Sequence, residues 1–388
     1  MILAERHIIK SGAEYSDLRT ITRLSKNLYN SGLYAVRQYY FENKKFLNYV
    51  NLNNTFVKNK QVDYYNLPTK VSQQTLKLVE QNFKSFFGSI NAKIKNVKIP
   101  KYLKKDSEFV TVWTNQAISF KKKGYIKLSG TNVLIKTDKS KINQVRVIPK
   151  NSHFIIEILY ETQENSTLVD NGRYCAIDLG VDNLATVSSN VTKPIIMNGK
   201  PLKSINQFYN KTKSLIQSKL ERINKKKVSK KLTNLTNKRN NKINDYLHKS
   251  SKKIINHLVS NNINTLIVGQ NKEWKQEINI GSRNNQNFVQ IPHSRFINML
   301  EYKCKLAGIR FIKQEESYTS KCSFIDNEPI SKQKNYLGER IKRGLFRTKN
   351  GLIINADLNG SLNILKKAIG EFQYPIEVCS TPKIINLI

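Results

Sequence analysis

Acidic residues are scarce in this 388-residue chain. It has 28 Asp and Glu residues against 66 Lys and Arg residues, which gives a formal net charge of +38 at pH 7. A charge of this size predicts a polyanionic partner whose binding weakens steeply as salt is added. Nucleic acid is the polyanion that this composition favours, over a basic surface that binds nothing.

Long apolar runs and paired cysteines are also missing. No run approaches the roughly 20 apolar residues of a membrane-spanning helix, and the first residues lack the apolar core of a signal peptide. We therefore expect a cytoplasmic protein that does not bind membranes. The four cysteines have no paired spacing, so neither a disulfide framework nor a zinc site is indicated. They are Cys175, Cys304, Cys322 and Cys379.

Two aspartates stand out because each is isolated in an apolar frame. Asp178 lies in Tyr-Cys-Ala-Ile-Asp-Leu-Gly-Val at 174–181, which predicts a strand, and Asp357 opens a predicted helix in Ile-Asn-Ala-Asp-Leu-Asn-Gly at 354–360. In so basic a chain they suggest a magnesium site that acts on a phosphate backbone. The alternatives are a structural role at a strand end for Asp178 and the N-cap of the last helix for Asp357.

The first part of the chain predicts a small barrel with a helical insertion. The first ten residues alternate as a strand does, and a helix follows over 16–43 with Ser16 or Asp17 as its cap. A second helix opens near Ser72. Short strands separated by turn residues fill 108–161, which is typical of a small antiparallel barrel.

The second part predicts a different architecture. Three consecutive strands are followed by a long basic helical region, and then by alternating strands and helices. This order, with an aspartate on the first strand, is that of an RNase H-like fold. The predicted strands are 174–181, 184–189, 194–197, 265–268 and 309–313, and the predicted helices are 202–260, 294–306 and 357–369.

Basic residues in the helical region, and in a later run, are candidates for phosphate contacts. Acids are nearly absent around them, which favours nucleic-acid binding over a solvated helix face. The candidates are Lys225, Lys226, Lys227, Lys230, Lys231, Lys238, Arg239, Arg340 and Arg343.

Five phrases in this order resemble the TnpB (OrfB) family of transposon-encoded proteins, which are RNA-guided DNA nucleases related to the compact type V CRISPR effectors. The phrases are Ala176-Ile-Asp-Leu-Gly, Asn271-Lys-Glu-Trp-Lys-Gln, Glu315-Glu-Ser-Tyr-Thr-Ser-Lys, Arg340-Ile-Lys-Arg-Gly-Leu-Phe and Asn355-Ala-Asp-Leu-Asn-Gly-Ser. The resemblance covers nearly the whole chain.

The resemblance implies an α+β multidomain protein. A wedge-like β-barrel would occupy 1–12 and 97–170, with a helical recognition region inserted at 13–96. An RNase H-like (RuvC) nuclease domain at 171–370 would carry a degenerate zinc-ribbon insertion at 318–353, and 371–388 would form a tail. The implied partners are a guide RNA from the transposon end and a double-stranded target DNA, which the RNA reads by base pairing. Such a protein would associate with a bacterial-type nucleoid when bound to DNA.

The resemblance also implies phosphodiester hydrolysis by two Mg²⁺ ions, with Asp178 and Asp357 as the first and third ligands. The family commonly has a glutamate at the end of the fourth strand, where this chain has Gly269. Either the glutamate has moved, or cleavage is lost. The parallel fifth strand lies about 4.8 Å away and ends in Glu315-Glu316, so we expect Glu316 to serve, with Glu315, Glu273 or Glu277 as alternatives.

A second departure concerns zinc. The family often carries two Cys-x-x-Cys pairs before the last aspartate, whereas this chain has Cys322 alone there. One thiolate cannot form a tetrahedral site, so we expect no zinc. A metal-free remnant would pack around Phe324, Tyr336, Leu345 and Phe346.

The sequence thus predicts a magnesium-dependent, RNA-guided DNA endonuclease. The leading alternative is an RNA-guided DNA-binding protein that acts by occupancy without cutting. A transposase that joins DNA ends fits less well, because the barrel and its helical insertion would then have no role.

Overall fold

The computed structural model describes residues 1–224, 228–271, 290–372, 374 and 382–387. It divides into two compact units, Met1–Thr162 and Gln163–Ile388, each with its own apolar core. No helix among these described residues is both long enough and apolar enough to cross a membrane.

The first unit carries its helices between its first two strands. Its elements are β1 (Ile2–Ile9), α1 (Ala13–Asn43), α2 (Tyr49–Lys58), α3 (Val62–Tyr65), α4 (Thr69–Asn91), β2 (Thr111–Thr114), a 3₁₀ turn (Asn115–Ala117), β3 (Ile118–Lys122), β4 (Tyr125–Leu128), β5 (Leu134–Lys136), β6 (Ile142–Lys150) and β7 (His153–Glu161).

These strands form two antiparallel sheets, ordered β1-β7-β6-β2 and β3-β4-β5. Within residues 1–162, neither sheet closes on itself by hydrogen bonds. The first unit therefore has open sheets where the sequence predicted a closed barrel. Fully buried side chains of α1 and α4, such as Leu28, Leu33, Leu76 and Phe83, fill its core.

Helix α1 begins earlier than predicted. Its N-cap is Gly12, whose φ of 92° suits glycine, and no side chain caps the helix. The predicted cap at Ser16 or Asp17 was wrong, since Asp17 instead accepts the N–H of Asn132 through Oδ2 at 3.0 Å. The polar, tyrosine-rich stretch after α1 forms α2 and α3, which the sequence analysis missed.

The second unit is built on a six-stranded sheet. Its elements are β8 (Tyr174–Leu179), β9 (Asn183–Ser189), β10 (Ile195–Asn198), α5 (Lys200–Asn224), α6 (Lys230–Ser260), β11 (Thr265–Gly269), α7 (His293–Ala307), β12 (Arg310–Gln314), β13 (Glu339–Lys342), β14 (Leu345–Arg347), β15 (Ile353–Asn355), α8 (Ala356–Ile369) and β16 (Lys383–Ile385). The predicted basic helix is in fact two helices, and Ser229 caps the second by accepting from Leu232 N–H at 3.2 Å.

The sheet order is β12-β11-β8-β9-β10-β16. Strands β8, β9 and β10 run antiparallel, while β11 and β12 lie parallel beside β8. Alternation along β8 separates the two faces of this sheet. Cys175 and Ile177 pack with α6 and α7, whereas Ala176 packs with Ile364 of α8. Asp178, two residues after Ala176, therefore lies on the α8 face.

A small antiparallel sheet, β13-β14-β15, leads directly into α8. Phe346 and Leu358 are buried in its apolar cluster, and Phe324 packs against them. Of the four residues predicted to hold this segment together, Tyr336 and Leu345 do not belong to the cluster that the described residues form. Tyr336 instead has Lys321 Nζ 5.8 Å from its ring centre.

Candidate active site

Asp178 lies near the end of β8 and touches helix α8. A Cβ atom added to Gly360 would lie 3.0 Å from Asp178 Oδ2. The glycine therefore lets the carboxylate approach the helix closely. Residue 360 is one turn beyond Asp357, so both residues face the same side of α8.

Asp357 lies in the first turn of α8 but does not cap it. The cap is Asn355, whose Oδ1 accepts from the main-chain N–H groups of Asp357 and Leu358 at 3.0 and 3.1 Å. The capping role considered for Asp357 was therefore wrong. Its carboxylate instead accepts from Asn183 Nδ2 at 2.8 Å and from Arg340 Nη2 at 3.0 Å.

Glu316 reaches the space beside Gly269. Strands β11 and β12 pair in parallel with Gly269 opposite Gln314, and Glu316 follows two residues later. Its Oε2 lies 2.5 Å from the position that a Cβ on Gly269 would take, so a side chain at 269 would displace it. The N–H of Glu316 is donated to Asn271 Oδ1 at 3.2 Å, and its carbonyl accepts from Thr319 Oγ1 at 2.8 Å.

The three carboxylates carry like charges that repel one another, and this repulsion adds to the effect of burial on the pKa of Asp178. Burial raises the pKa of Asp178 well above its usual range, and the charges of Asp357 and Glu316 raise it further. Burial also raises the pKa of Glu316 to about 7, with a smaller contribution from Glu315. Like charges held together in a poorly solvated place favour binding a proton or a cation.

Glu315 is directed elsewhere. Its carboxylate accepts from Lys367 Nζ at 2.5 Å and from Ser317 N–H at 2.7 Å. These hydrogen bonds, that of Lys367 foremost, lower the pKa of Glu315 to about 2. This side chain is therefore exposed and ion-paired, unlike its neighbour. Glu273 and Glu277, which the sequence also offered as replacements for the missing ligand, lie outside the described residues.

The donor chemistry of the site suits a hard divalent cation. Asp178, Glu316 and Asp357 offer carboxylate oxygens, which Mg²⁺ prefers, and a cation would relieve the repulsion that raises the pKa of Asp178. Their side chains are not arranged as a ready ligand set, since no group of three or more His, Cys, Asp or Glu residues in the described ranges has metal-binding geometry.

The predicted phosphate contacts that the structure describes fall into three groups. Lys230, Lys231 and Lys238 are exposed on α6. Arg239 is half-buried and donates to Asn206 Oδ1, Asn240 Oδ1 and Gln290 O at 2.8, 2.9 and 3.0 Å. Arg340 and Arg343 are exposed on the β13–β14 hairpin and pair with Asp357 and Asp182. Lys225, Lys226 and Lys227 lie outside the described residues.

Sequence reasoning missed the residues that hold these carboxylates. Asn183 binds Asp357 from the start of β9, and Asn271 binds the main chain of Glu316. Gly360 makes room for Asp178. One signal was available, since Gly360 follows Asp357 at the spacing of one helical turn.

Family models match two separate parts of the chain. The OrfB_IS605 model, described as a probable transposase, matches residues 157–275. The Cas12f1-like TNB domain model matches residues 293–364. No curated protein matches the sequence.

Two solved structures are similar to this chain at low sequence identity. One is a Cas12f1–sgRNA–target DNA complex, which is 14% identical over 90% of this chain and 82% of that one, with a TM-score of 0.57. The other is the mini-RNA-guided endonuclease CRISPR-Cas_phi3, which is 10% identical over 96% of this chain and 93% of that one, with a TM-score of 0.48.

The chain has the mixed α+β, multidomain fold of the compact type V effectors. The two family models agree with the similarity to TnpB (OrfB) proteins that its sequence phrases indicate. The resemblance stated from its sequence phrases is confirmed.

Proposed function

We propose that this chain is an RNA-guided DNA endonuclease that hydrolyses target phosphodiesters with two divalent ions held by Asp178, Glu316 and Asp357. The observation that carries the proposal is the Glu316 carboxylate in the space above Gly269. A half-buried carboxylate beside other acids costs free energy unless a cation or a proton compensates it. Its presence there favours a relocated ligand over a lost one.

The sheet supports a RuvC-like assignment of the second unit. Three antiparallel strands are followed by two parallel strands, and the acids lie on β8, after β12 and at the start of α8. This is the arrangement expected of an RNase H-like nuclease. Bound magnesium ions would supply an activated water molecule and stabilise the leaving oxygen.

The surrounding side chains position the proposed ligands. Asn183 fixes Oδ2 of Asp357, and the cap at Asn355 fixes the first turn of α8. Thr319 and Asn271 hold the main chain of Glu316. Lys367 draws Glu315 away, so that a single carboxylate of the pair faces Gly269.

We also propose the partners and their places. The guide would be an RNA from the transposon end and the target a double-stranded DNA, consistent with the transposase model and with the complex of a similar protein. Residues 1–12 and 97–170 would form the wedge, 13–96 the recognition region and 171–370 the nuclease domain, acting on DNA in a bacterial-type cytoplasm. The exposed lysines of α6 would contact phosphates.

A guided DNA-binding protein without cleavage is the second candidate. The ion pair between Arg340 and Asp357 favours it, because the guanidinium already neutralises one of the three carboxylates. Gly269 also favours this second candidate, because glycine has no side chain that could serve as the usual metal ligand at that position.

One experiment separates the two candidates. The protein is purified with the RNA that it retains, that RNA is sequenced, and a matching duplex with randomised flanks is added with Mg²⁺. We expect cutting by the wild type and by the matched control Glu315→Gln. Asp178→Asn and Glu316→Gln should each lose more cleavage rate than the roughly 10- to 100-fold that removing an outer-shell partner costs. Cutting that survives Glu316→Gln would overturn the relocated ligand, and target binding without any cutting would establish the guided binder.

A further inference from the structure

A lysine-rich segment without helix or strand joins α4 to β2 in the first unit. Residues 93–105 contain six lysines and no acid, and we call them the lysine strap. The lysines are Lys93, Lys95, Lys98, Lys101, Lys104 and Lys105. All six are exposed, and the ion pairs that the structure describes in this unit involve other cations.

The second half of the strap follows a fixed path, because polar side chains of α1 hold its main chain between Pro100 and Lys105. Asn30 Nδ2 donates to Leu103 O at 3.0 Å, and Leu103 N–H donates back to Asn30 Oδ1 at 2.9 Å. Two further anchors are Lys26 Nζ to Lys105 O at 2.8 Å and Arg37 Nη1 to Pro100 O at 3.4 Å. Such anchoring lowers the ordering cost of binding a ligand.

Four of the lysines recur at every third position, at 95, 98, 101 and 104. Between them Val97 and Leu103 are partly buried, so the apolar residues face the protein while the lysines face solvent. Because an extended chain rises by at most about 3.5 Å per residue, neighbouring lysines of this row lie up to roughly 10 Å apart. The result is a row of cations along one edge of an anchored chain.

An aromatic ring interrupts the row. Tyr102 is 45% exposed, and Arg37 Cζ lies 5.0 Å from its ring centre. The guanidinium stack fixes the ring while leaving much of it open to solvent. Cations that track a backbone, together with an aromatic ring for a base, are the features of surfaces that bind single-stranded nucleic acid.

We propose that the lysine strap binds an unpaired segment of RNA, with phosphates at the lysine row and one base stacked on Tyr102. The choice of a single strand follows from the ring, because a duplex hides its base faces. The choice of RNA rests on the proposed function, in which the protein carries its guide before it meets a target.

The first test compares two charge-matched variants of the full chain, freed of RNA, on a labelled short oligouridine. In the strap variant Lys95, Lys98, Lys101 and Lys104 become Gln. The control changes four other exposed lysines of the same unit to Gln, namely Lys10, Lys45, Lys58 and Lys70. Because each lost phosphate contact removes about 0.7 from the salt slope of single-strand binding, the strap variant should lose roughly 2 to 3. Equal losses in the two variants would overturn the proposal.

The second test addresses the ring. Tyr102→Ala should weaken oligouridine binding by roughly 5- to 100-fold, Tyr102→Phe should preserve it, and neither should alter binding of a blunt RNA duplex. An equal loss on the duplex, or no loss at all, would overturn the stacking assignment. Because phosphate and stacking contacts do not read the sugar, the choice of RNA is tested by the RNA that each variant retains on purification, and equal retention by the strap and control variants would overturn it. The assay contains no magnesium and no target, so its answer does not depend on whether the chain cuts DNA.

Discussion

Arg340 donates from Nη2 to Asp357 Oδ1 at 3.0 Å, which places a cation of the β13–β14 hairpin on a proposed metal ligand. The same hairpin brings Arg343 Nε to 2.9 Å from Asp182 Oδ2, and Asp182 also binds Lys203. Both arginines that the sequence marked as phosphate contacts are therefore held by acids in this structure. A metal ion bound to Asp357 would replace Arg340 as the partner of that carboxylate. A phosphate bound to Arg340 would likewise replace Asp357 as the partner of the guanidinium.

Arg340→Gln should strengthen divalent-ion binding to the protein alone. Removing the guanidinium frees the Asp357 carboxylate, and because the pair is solvent-exposed the gain should be modest, roughly two- to fivefold in Kd. Titration calorimetry with Mn²⁺ measures it. Arg343→Gln is the matched control, since its partner Asp182 is not a proposed ligand. An equal gain in both variants would point to net charge rather than to the Asp357 contact.

Gly269→Ala should destabilise the protein and disturb Glu316. The added Cβ would meet Glu316 Oε2 at 2.5 Å and Ile364 Cδ1 at 2.6 Å, and overpacking of this kind costs about 1–3 kcal/mol. Denaturant unfolding of both single variants and of Gly269→Ala with Glu316→Ala completes a double-mutant cycle. The double variant should lose less than the sum of the singles, because one of the two clashing groups is gone. Strict additivity would show that Glu316 does not occupy this space.

The architecture could be predicted largely from local patterns, and its exceptions have physical causes. The apolar runs of β8 and β11 identified those strands, since burial on a sheet is a property of neighbouring residues. The separate start of α6 at Ser229 was missed because serine, although a preferred N-cap residue, also occurs inside helices. The open sheets of the first unit depend on pairings between distant strands, which no local pattern records.

The candidate site likewise has features that the sequence could predict and features that it could not. The position of Glu316 could be inferred because parallel strands in register bring Gln314 beside Gly269, although its role as a ligand remains a prediction. The pairing of Arg340 with Asp357 could not, because it depends on the path of the hairpin before α8. Asn183 and Asn271 carry no sequence signal of their own, since asparagine is common throughout this chain.

The stability of the metal-free protein should fall as pH rises from about 4.5 to 7. The pKa of Glu316 is raised to about 7 in the folded state, so the folded protein holds a proton there that the unfolded chain releases near its usual pKa. The effect is at most about 3 kcal/mol. Urea unfolding at pH 5 and pH 7.5 should show a smaller loss for Glu316→Gln than for the wild type. An identical pH dependence in the two proteins would mean that Glu316 titrates normally.

Lys238 and Arg239 are neighbours on α6, but we expect substitution of the first to affect nucleic-acid binding and substitution of the second to affect stability. Lys238 is exposed, so Lys238→Gln should lower the salt slope of nucleic-acid binding by about 0.7–0.9 if it contacts a phosphate, with unfolding unchanged. Arg239 makes three internal hydrogen bonds, and burial lowers its pKa. Arg239→Gln should therefore destabilise the fold by about 1–3 kcal/mol. Binding titrations over a salt series and urea unfolding, applied to both variants, check the contrast. A stable Arg239→Gln protein would argue that its guanidinium is free for phosphate.

Asn355→Ala should affect catalysis through the start of α8. The side chain accepts two N–H groups, including that of Asp357, and losing such a cap costs about 1 kcal/mol. Because the first turn carries the Asp357 carboxylate, the cleavage rate should fall by more than the loss of folded protein explains. Asn355→Asp retains an acceptor and should restore stability. Measured together, unfolding and single-turnover cleavage separate the two effects. A cleavage rate that stays at the wild-type level in a destabilised Asn355→Ala protein would show that the cap does not position Asp357.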